Sequence, residues 1–465
     1  MKRLLLLLAF TASIVTARAD QFATGQAADV VLGQEDFTSG NSSSGPNRFF
    51  LPRSVTVAPG TGKVFVSDSG NNRILRFSSA AAAISGSDAE AVFGQSDFSS
   101  VAANQGGATG ANTLSFPLQI LVDGDDRLWV VDSGNHRILG FPDASVSANN
   151  ANATIVFGQS LFTNATTGTG LAQMNGPAGL SLGSDDTLWV SDSNNHRILR
   201  FGAVSSKPNG SAADSIFGQT GLSGTSVDSL RFPQTLSTTS DGRLWVADPG
   251  NNRVLWFDDA ASLGSGADAS GVLGQDSFTT NIPATTANGL NGPRGVLASA
   301  DGTLWVVDAS NNRVLAYRNA ATLANGAAAS IVLGQTNFTS LSLGTTDSKF
   351  AFPQEIAEDA GGRLLVTDFN NDRVLRFSPV KAPTLTITTR SGKTSSRTTV
   401  VRGGSAGEVT RIAYRVGKSG PFKNAKGTAS WSFKAKLNPG KNFITVVAEG
   451  PGGSSVSQKI TIKRL

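Results

Sequence analysis

The feature that most constrains this chain is a repeat. A ten-residue segment recurs as DSGNNRILRF from Asp68, DSGNHRILGF from Asp132, DSNNHRILRF from Asp192, DPGNNRVLWF from Asp248, DASNNRVLAY from Asp308 and DFNNDRVLRF from Asp368. Successive copies lie 64, 60, 56, 60 and 60 residues apart. A second element keeps the same count: VLGQEDF at 31, VFGQSDF at 92, VFGQSLF at 156, IFGQTGL at 216, VLGQDSF at 272 and VLGQTNF at 332. A proline stands between the two in every copy, at Pro52, Pro117, Pro177, Pro233, Pro293 and Pro353. Such periodicity marks a fold that stacks one supersecondary unit on itself.

Each unit reads as four strands, for example residues 118–123, 127–132, 137–141 and 154–159. The runs are short, rich in Val, Ile, Leu, Trp and Phe, and bounded by Gly, Asp and Asn, as strands are. Turns such as DGDD (123–126) suit antiparallel hairpins. Four-stranded repeats of this kind build propeller blades, which predicts an all-β, six-bladed β-propeller around a central channel. The chain opens with a GQ strand (29–33) and its last repeat ends at Phe377 without one. The N-terminal strand is therefore expected to pair with residues 373–377 and close the ring, removing exposed edges.

The repeated [LI]WV-x-D-x-x-N-[NH]-R-[IV]-L segment resembles the NHL repeat of six-bladed propellers over residues 29–377, and the GQ-x-x-F element resembles that of bacterial exported NHL-repeat proteins. The resemblance implies a propeller and leaves the activity open. Its members include a copper- and zinc-dependent amidating lyase, RNA-binding ubiquitin ligases, receptor ectodomains and bacterial proteins of unknown role. Lactonase and strictosidine synthase propellers share the architecture without this motif, so function has to be argued from the site.

The internal copies stand in for an alignment. At the position of His136 the copies show Asn72, His136, His196, Asn252, Asn312 and Asp372, which suits a polar turn and not a catalytic imidazole. Too few histidines are present for the amidating-lyase metal sites, so no metal and no cofactor is expected. Aspartate and arginine are invariant: Asp68 with Arg73, Asp132 with Arg137, Asp192 with Arg197, Asp248 with Arg253, Asp308 with Arg313 and Asp368 with Arg373. A four-residue turn sets them opposite each other, predicting six exposed cross-strand ion pairs worth about 0.2–1 kcal/mol each. The glutamines from Gln34 to Gln335 read as bonding backbone near the outer strand. Trp129, Trp189, Trp245 and Trp305, with Phe65 and Leu365 at the same strand position, read as packing between blades.

If repeated residues build the scaffold, function sits in what differs. The loops from GQ-x-x-F to the proline carry 14, 18, 14, 10, 14 and 14 residues, share one face with the Asp-x-x-Asn turns, and consist mainly of Ser, Thr, Asn, Gly and Ala. Immediately after the prolines come Arg53, Leu118, Ala178, Gln234, Arg294 and Gln354, expected to ring the channel mouth. Arg53, Gln234, Arg294 and Gln354 are the candidate binding residues. A solvated rim is the plainer reading, an anion held by Arg53 and Arg294 the sharper one. Glu355, Glu358 and Asp123 are the acids to weigh for a lactonase-type calcium site.

The ends of the chain differ from its middle. Lys2 and Arg3, the apolar run 4–15 and Ala17-Arg18-Ala19 predict a signal peptide over residues 1–19, hence an exported protein. The chain has no cysteine, which excludes disulfides, thiolate metal sites and a thiol nucleophile. The net charge of +5 averages unlike parts: residues 20–379 hold 20 Lys/Arg against 32 Asp/Glu, and residues 380–465 hold 16 against 2. Six or seven short strands are expected from 384 to 462, and residues 431–453 (WSFKAKLNPGKNFITVVAEGPGG) resemble bacterial immunoglobulin-like domains. That gives three parts: a signal peptide (1–19), a propeller (20–379) and a basic immunoglobulin-like β-sandwich (380–465). The expected function is a secreted, monomeric, non-catalytic binding or adhesion scaffold. Its partners would be an extracellular protein or glycan, polyanionic for the C-terminal module, with no specific nucleic acid and no transmembrane segment. The alternative is a propeller enzyme of the lyase or lactonase class with a metal at the channel mouth.

Overall fold

The computed structural model describes residues 22–218, 224, 226–381, 383–450 and 455–465. The expected signal peptide and Gln219 lie outside the described residues. Two compact units emerge: Thr24–Ser378, and Pro379–Leu465 together with Phe22 and Ala23. No helix among the described residues is long and apolar enough to cross a membrane.

The first unit consists of six four-stranded antiparallel sheets. One runs Pro117–Val122, Leu128–Asp132, Arg137–Phe141 and Ile155–Phe157 in spatial and chain order. The outermost strand is shorter than the 154–159 read from the sequence. It stops where Gly158 turns to a φ of +84°, and a Cβ there would fall 2.8 Å from the Met174 sulfur. Only glycine fits that bend without strain. The first strands of successive sheets neighbour one another in a closed cycle, the last (Pro353–Glu358) lying against the first (Pro52–Val57).

The Asp-Arg pairs are fully buried, which corrects the expectation of exposed pairs. Arg137 Nε donates to Asp132 Oδ2 at 2.7 Å, and Asn135 Nδ2 donates to the same oxygen at 2.8 Å. The other aspartate oxygen accepts the Ser115 amide at 2.7 Å. The remaining guanidinium nitrogens of Arg137 donate to carbonyls of Phe162, Gly110 and Thr113. Each clasp thus ties a turn to the loops on both sides of it, and the same bonds recur at Asp68, Asp248, Asp308 and Asp368. Sequence spacing showed the pairing but not its burial, because the loops that cover it carry no apolar signature.

Between sheets the core is aromatic and aliphatic. Trp129 packs with Leu180, Leu188 and Val190 of the next unit, and Trp189 with Leu236, Leu244 and Val246 of the unit after that. Leu365 of the last unit packs with Val55, Val64 and Val66 of the first. The last sheet borrows its fourth strand from the start of the chain: Val30–Leu32 pairs antiparallel with Arg373–Phe377, Val31 opposite Leu375. Side chains reinforce that closure, with Arg373 Nη1 donating to the Phe37 carbonyl at 2.6 Å and Gln34 Nε2 to the Asp372 carbonyl at 2.9 Å.

The second unit holds a three-stranded and a five-stranded sheet. Trp431, Phe433, Val401, Ile444 and Val446 lie in one core built from strands of both. Two short strands, Gly392–Thr394 and Lys423–Asn424, were not visible in the sequence. The first runs parallel to Ser455–Arg464, a pairing that leaves no hairpin turn to read.

Two outcomes test these interactions. Deleting residues 20–37 strips the partner from Arg373–Phe377, and no soluble folded propeller should be recovered by expression and circular dichroism. Asp132→Ala leaves a buried guanidinium without its carboxylate and should lower the unfolding free energy by about 3–5 kcal/mol in urea titration.

Candidate functional site

The residue at the His136 position sits in the left-handed region in every copy, with φ between +49° and +55°. Asn, Asp and His tolerate that conformation best among side-chain-bearing residues. It also does more than turn the chain. His136 Nδ1 accepts the Gly176 amide at 3.0 Å, and His196 Nδ1 accepts the Phe232 amide at 3.1 Å. Asn72, Asn252, Asn312 and Asp372 accept the amides of Phe116, Gly292, Phe352 and Leu51 through Oδ1. Each acceptor belongs to one unit and each donor to the next, so the position links neighbours all round the ring. An accepting Nδ1 requires a neutral imidazole, and burial accordingly pushes both histidines down. The five described glutamines of the second element contribute nearby: Gln95, Gln159, Gln275 and Gln335, like Gln34, donate Nε2 to the carbonyl of this same turn residue.

The amides so held all precede the conserved prolines, and all six residues take positive φ: Leu51, Phe116, Gly176, Phe232, Gly292 and Phe352. For leucine and phenylalanine this is strained backbone, a state that persists only where surrounding structure enforces it. Phe116 and Phe232 are left 37% and 44% exposed, so that apolar rings stand at the rim of the ring's mouth. These rings end loops that otherwise consist mainly of Ser, Thr, Asn, Gly and Ala.

Immediately inside that rim, Arg53, Leu118, Ala178, Gln234, Arg294 and Gln354 line a single small cavity, joined by Gln119, Thr235 and Glu355. The cavity measures about 20 Å³, enough for a water or one small group. These residues are not a freely solvated rim. Gln354 is 4% exposed, and the two guanidiniums are half-buried. Arg53 Nη1 donates to Gln354 Oε1 at 2.7 Å, and Arg294 Nη1 to Gln234 Oε1 at 3.3 Å. Arg53 stacks over Phe369 at 4.4 Å and Arg294 over Phe352 at 5.2 Å. No carboxylate lies in ion-pair range of either among the described residues, and Arg53 Nε has no hydrogen-bond partner. Burial, together with the like charge of Arg294, pulls Arg53 down to about 10.

Glu355, one of three acids weighed in the sequence, is the one that reaches the mouth. An extra residue in the first strand of the last sheet shifts the register between Pro353 and Ile356, so Gln354 and Glu355 both line the cavity. Glu355 is 3% exposed, its Oε2 has no partner, and burial raises its pKa well above the ordinary value. The signal was there: its sister copies carry Ser54, Gln119, Gly179, Thr235 and Gly295, none of them acidic. The other two acids weighed for calcium do not join it. Asp123 accepts from Trp129 Nε1 at 2.8 Å in the opposite hairpin, and Glu358 pairs with Leu364 at the far end of its strand. Among the described residues no group of three His, Cys, Asp or Glu is placed to hold a metal.

The NHL repeat profile matches residues 174–201 and 230–257, the segments that contain the third and fourth Asp-Arg clasps. The chain is a β-propeller protein carrying NHL repeats. No curated protein matches it in sequence. Solved structures similar to it include a protein of unknown function from Bacteroides thetaiotaomicron, at 15% identity and TM-score 0.49, covering 75% of each chain. Virginiamycin B lyase from Staphylococcus aureus is similar at 15% identity and TM-score 0.40, covering 72% of this chain and 86% of that one. A gluconolactonase from Xanthomonas campestris is similar at 13% identity and TM-score 0.43, covering 78% and 99%.

Glu355 carries a pH signature. A carboxyl whose folded-state pKa exceeds its unfolded one contributes stability at low pH that is lost as pH rises through the folded value. The unfolding temperature of Glu355→Gln should therefore fall less than that of the parent between about pH 5 and about pH 9, as scanning calorimetry would measure.

Proposed function

We propose that this chain is an exported, non-catalytic binding protein. In this reading a signal peptide (1–19) precedes a six-bladed NHL-type propeller (20–379) and a basic immunoglobulin-like sandwich (380–465). The propeller mouth recognises an acidic group on an extracellular protein or glycan, and the sandwich attaches the molecule to a polyanionic surface. One observation carries the proposal: two half-buried arginines, Arg53 and Arg294, face one cavity without an ion pair to either, and the one acid in its lining, Glu355, is pushed by burial toward its uncharged form. Desolvated like charges raise each other's energy, and an incoming anion relieves both at once. Charge-assisted bonds to it would be among the strongest the site can make. The cavity admits only the acidic group, while Phe116, Phe232 and Phe352 at the rim offer apolar contact to the body that carries it. The enzymatic alternative, lyase or lactonase chemistry at a metal, needs convergent donors, and Glu355 is the one acid lining the cavity.

Phenylacetate joins a carboxylate to an apolar ring and serves as the probe, with 2-phenylethanol as its uncharged counterpart. Isothermal titration of the purified protein should show phenylacetate binding and 2-phenylethanol not. The pair Arg53→Gln and Arg294→Gln should weaken phenylacetate about tenfold or more, while the lysine pair keeps most of the affinity. Equal binding of the alcohol, an unchanged affinity in the glutamine variant, or stoichiometric zinc, copper or calcium by elemental analysis would overturn the reading.

A further inference from the structure

The second unit carries a charge pattern that its own stability does not explain. In its five-stranded sheet, Lys441 lies directly opposite Lys463, and Lys463 directly opposite Lys393 on the next strand. Directly opposed side chains on neighbouring strands share a face, and strands lie about 4.8 Å apart, so three ammonium groups stand abreast across about 10 Å. The alternation shows which face this is. Ile444, Val446 and Ile462 point into the core, so Lys393, Lys441 and Lys463 point outward, and all three are exposed. A second cationic row crosses the same face where Lys459 opposes Thr445 and Thr445 opposes Arg415. It lies about 13 Å along the sheet from the first, four residues at the strand rise. Between the rows Phe443 is 40% exposed, with Lys418 over its ring at 5.9 Å. Among the described residues none of these six cations pairs with a carboxylate. Glu449, the only acid on this sheet, lies at its other end and pairs with Arg411 at 3.2 Å.

Like charges placed directly opposite each other destabilise a sheet. A row of three, backed by a row of two, is therefore an arrangement whose energy a polyanion would lower. We propose that this outward face binds an acidic polysaccharide, its sulfate or uronate groups bridging the lysine rows. The proposal rests on the attachment role assigned above to the basic unit and names the surface that performs it. A linear polysaccharide fits the details better than the other polyanions. Single-stranded nucleic acid is held on rows of stacking aromatics, and the two exposed phenylalanines here, Phe443 and Phe422, are each covered by a cation, Lys418 and Arg415. A lipid surface takes an amphipathic helix or a protruding apolar edge, and this face is a pleated sheet of Lys, Thr and Arg.

The test uses the whole protein on immobilised heparin and immobilised polygalacturonate, which separate sulfate from carboxylate recognition, with duplex DNA and phosphatidylserine vesicles alongside. Lys393→Gln, Lys441→Gln and Lys463→Gln combined should lower polysaccharide affinity about tenfold or more. The combined variant should also flatten the dependence of log affinity on log salt by about two to three units, close to one per lost contact. The single Lys463→Gln serves if the triple variant does not fold, and should remove about one unit of slope. The matching variant of the other sheet, Arg402→Gln, Lys434→Gln and Lys436→Gln, should leave both readouts nearly unchanged. Loss in that control instead of in the first variant, or tighter binding of DNA or vesicles than of either polysaccharide, overturns the assignment of this face. No retention of the parent protein at low salt on any of the four sinks the attachment role itself.

Discussion

The buried Asp-Arg clasp is the interaction on which the first unit depends. Each pair sits in a place where neither charge is affordable alone, and each is satisfied by bonds to turn amides, loop carbonyls and a neighbouring asparagine. Removing two charges from water is costly, and full hydrogen bonding is the condition under which such a pair persists. A propeller sheet is narrow and its loops are long and polar, so hydrophobic burial alone would not fix the loops. The arginine does so by gripping carbonyls that no apolar contact orients. What looks like a repeated surface motif is therefore the means by which the loop face acquires a shape.

Around that anchor runs a second ring of contacts, from each left-handed turn residue to the residue before the next unit's proline. It explains why asparagine, histidine and aspartate interchange at one position: each tolerates positive φ and each offers an acceptor about 3 Å from the same amide. It also holds bulky residues in strained backbone at the mouth, where strain has a use. A phenylalanine in that conformation stands at the rim instead of joining the core, and the arginines lie against such rings.

Much of this was legible in the chain. Period, strand count, ring closure and the packing of Trp129 between sheets all follow from alternation and from counting copies. Burial of the clasp was not legible, because it is created by loops of Ser, Thr, Gly and Asn. The mouth was half legible. Arg53 and Arg294 stand out after their prolines, whereas Glu355 is marked only as the one acid among its sister copies, and its burial in the cavity lining could not be read from that. In the second unit the sheet of lysines was visible as charge but not as a face, since its first row depends on a parallel pairing between residues 70 positions apart.

The borrowed strand has a consequence in time. Val30 and Arg376 meet across almost the whole length of the first unit, so five sheets can form from local hairpins while the sixth waits for both chain ends. Closing so long a loop is entropically slow compared with forming a hairpin. A growing chain therefore passes through an open crescent with two unsatisfied edges. Asp29 and Arg376, which pair at 3.1 Å in the closed ring, put charge on the two edges during the interval before they meet.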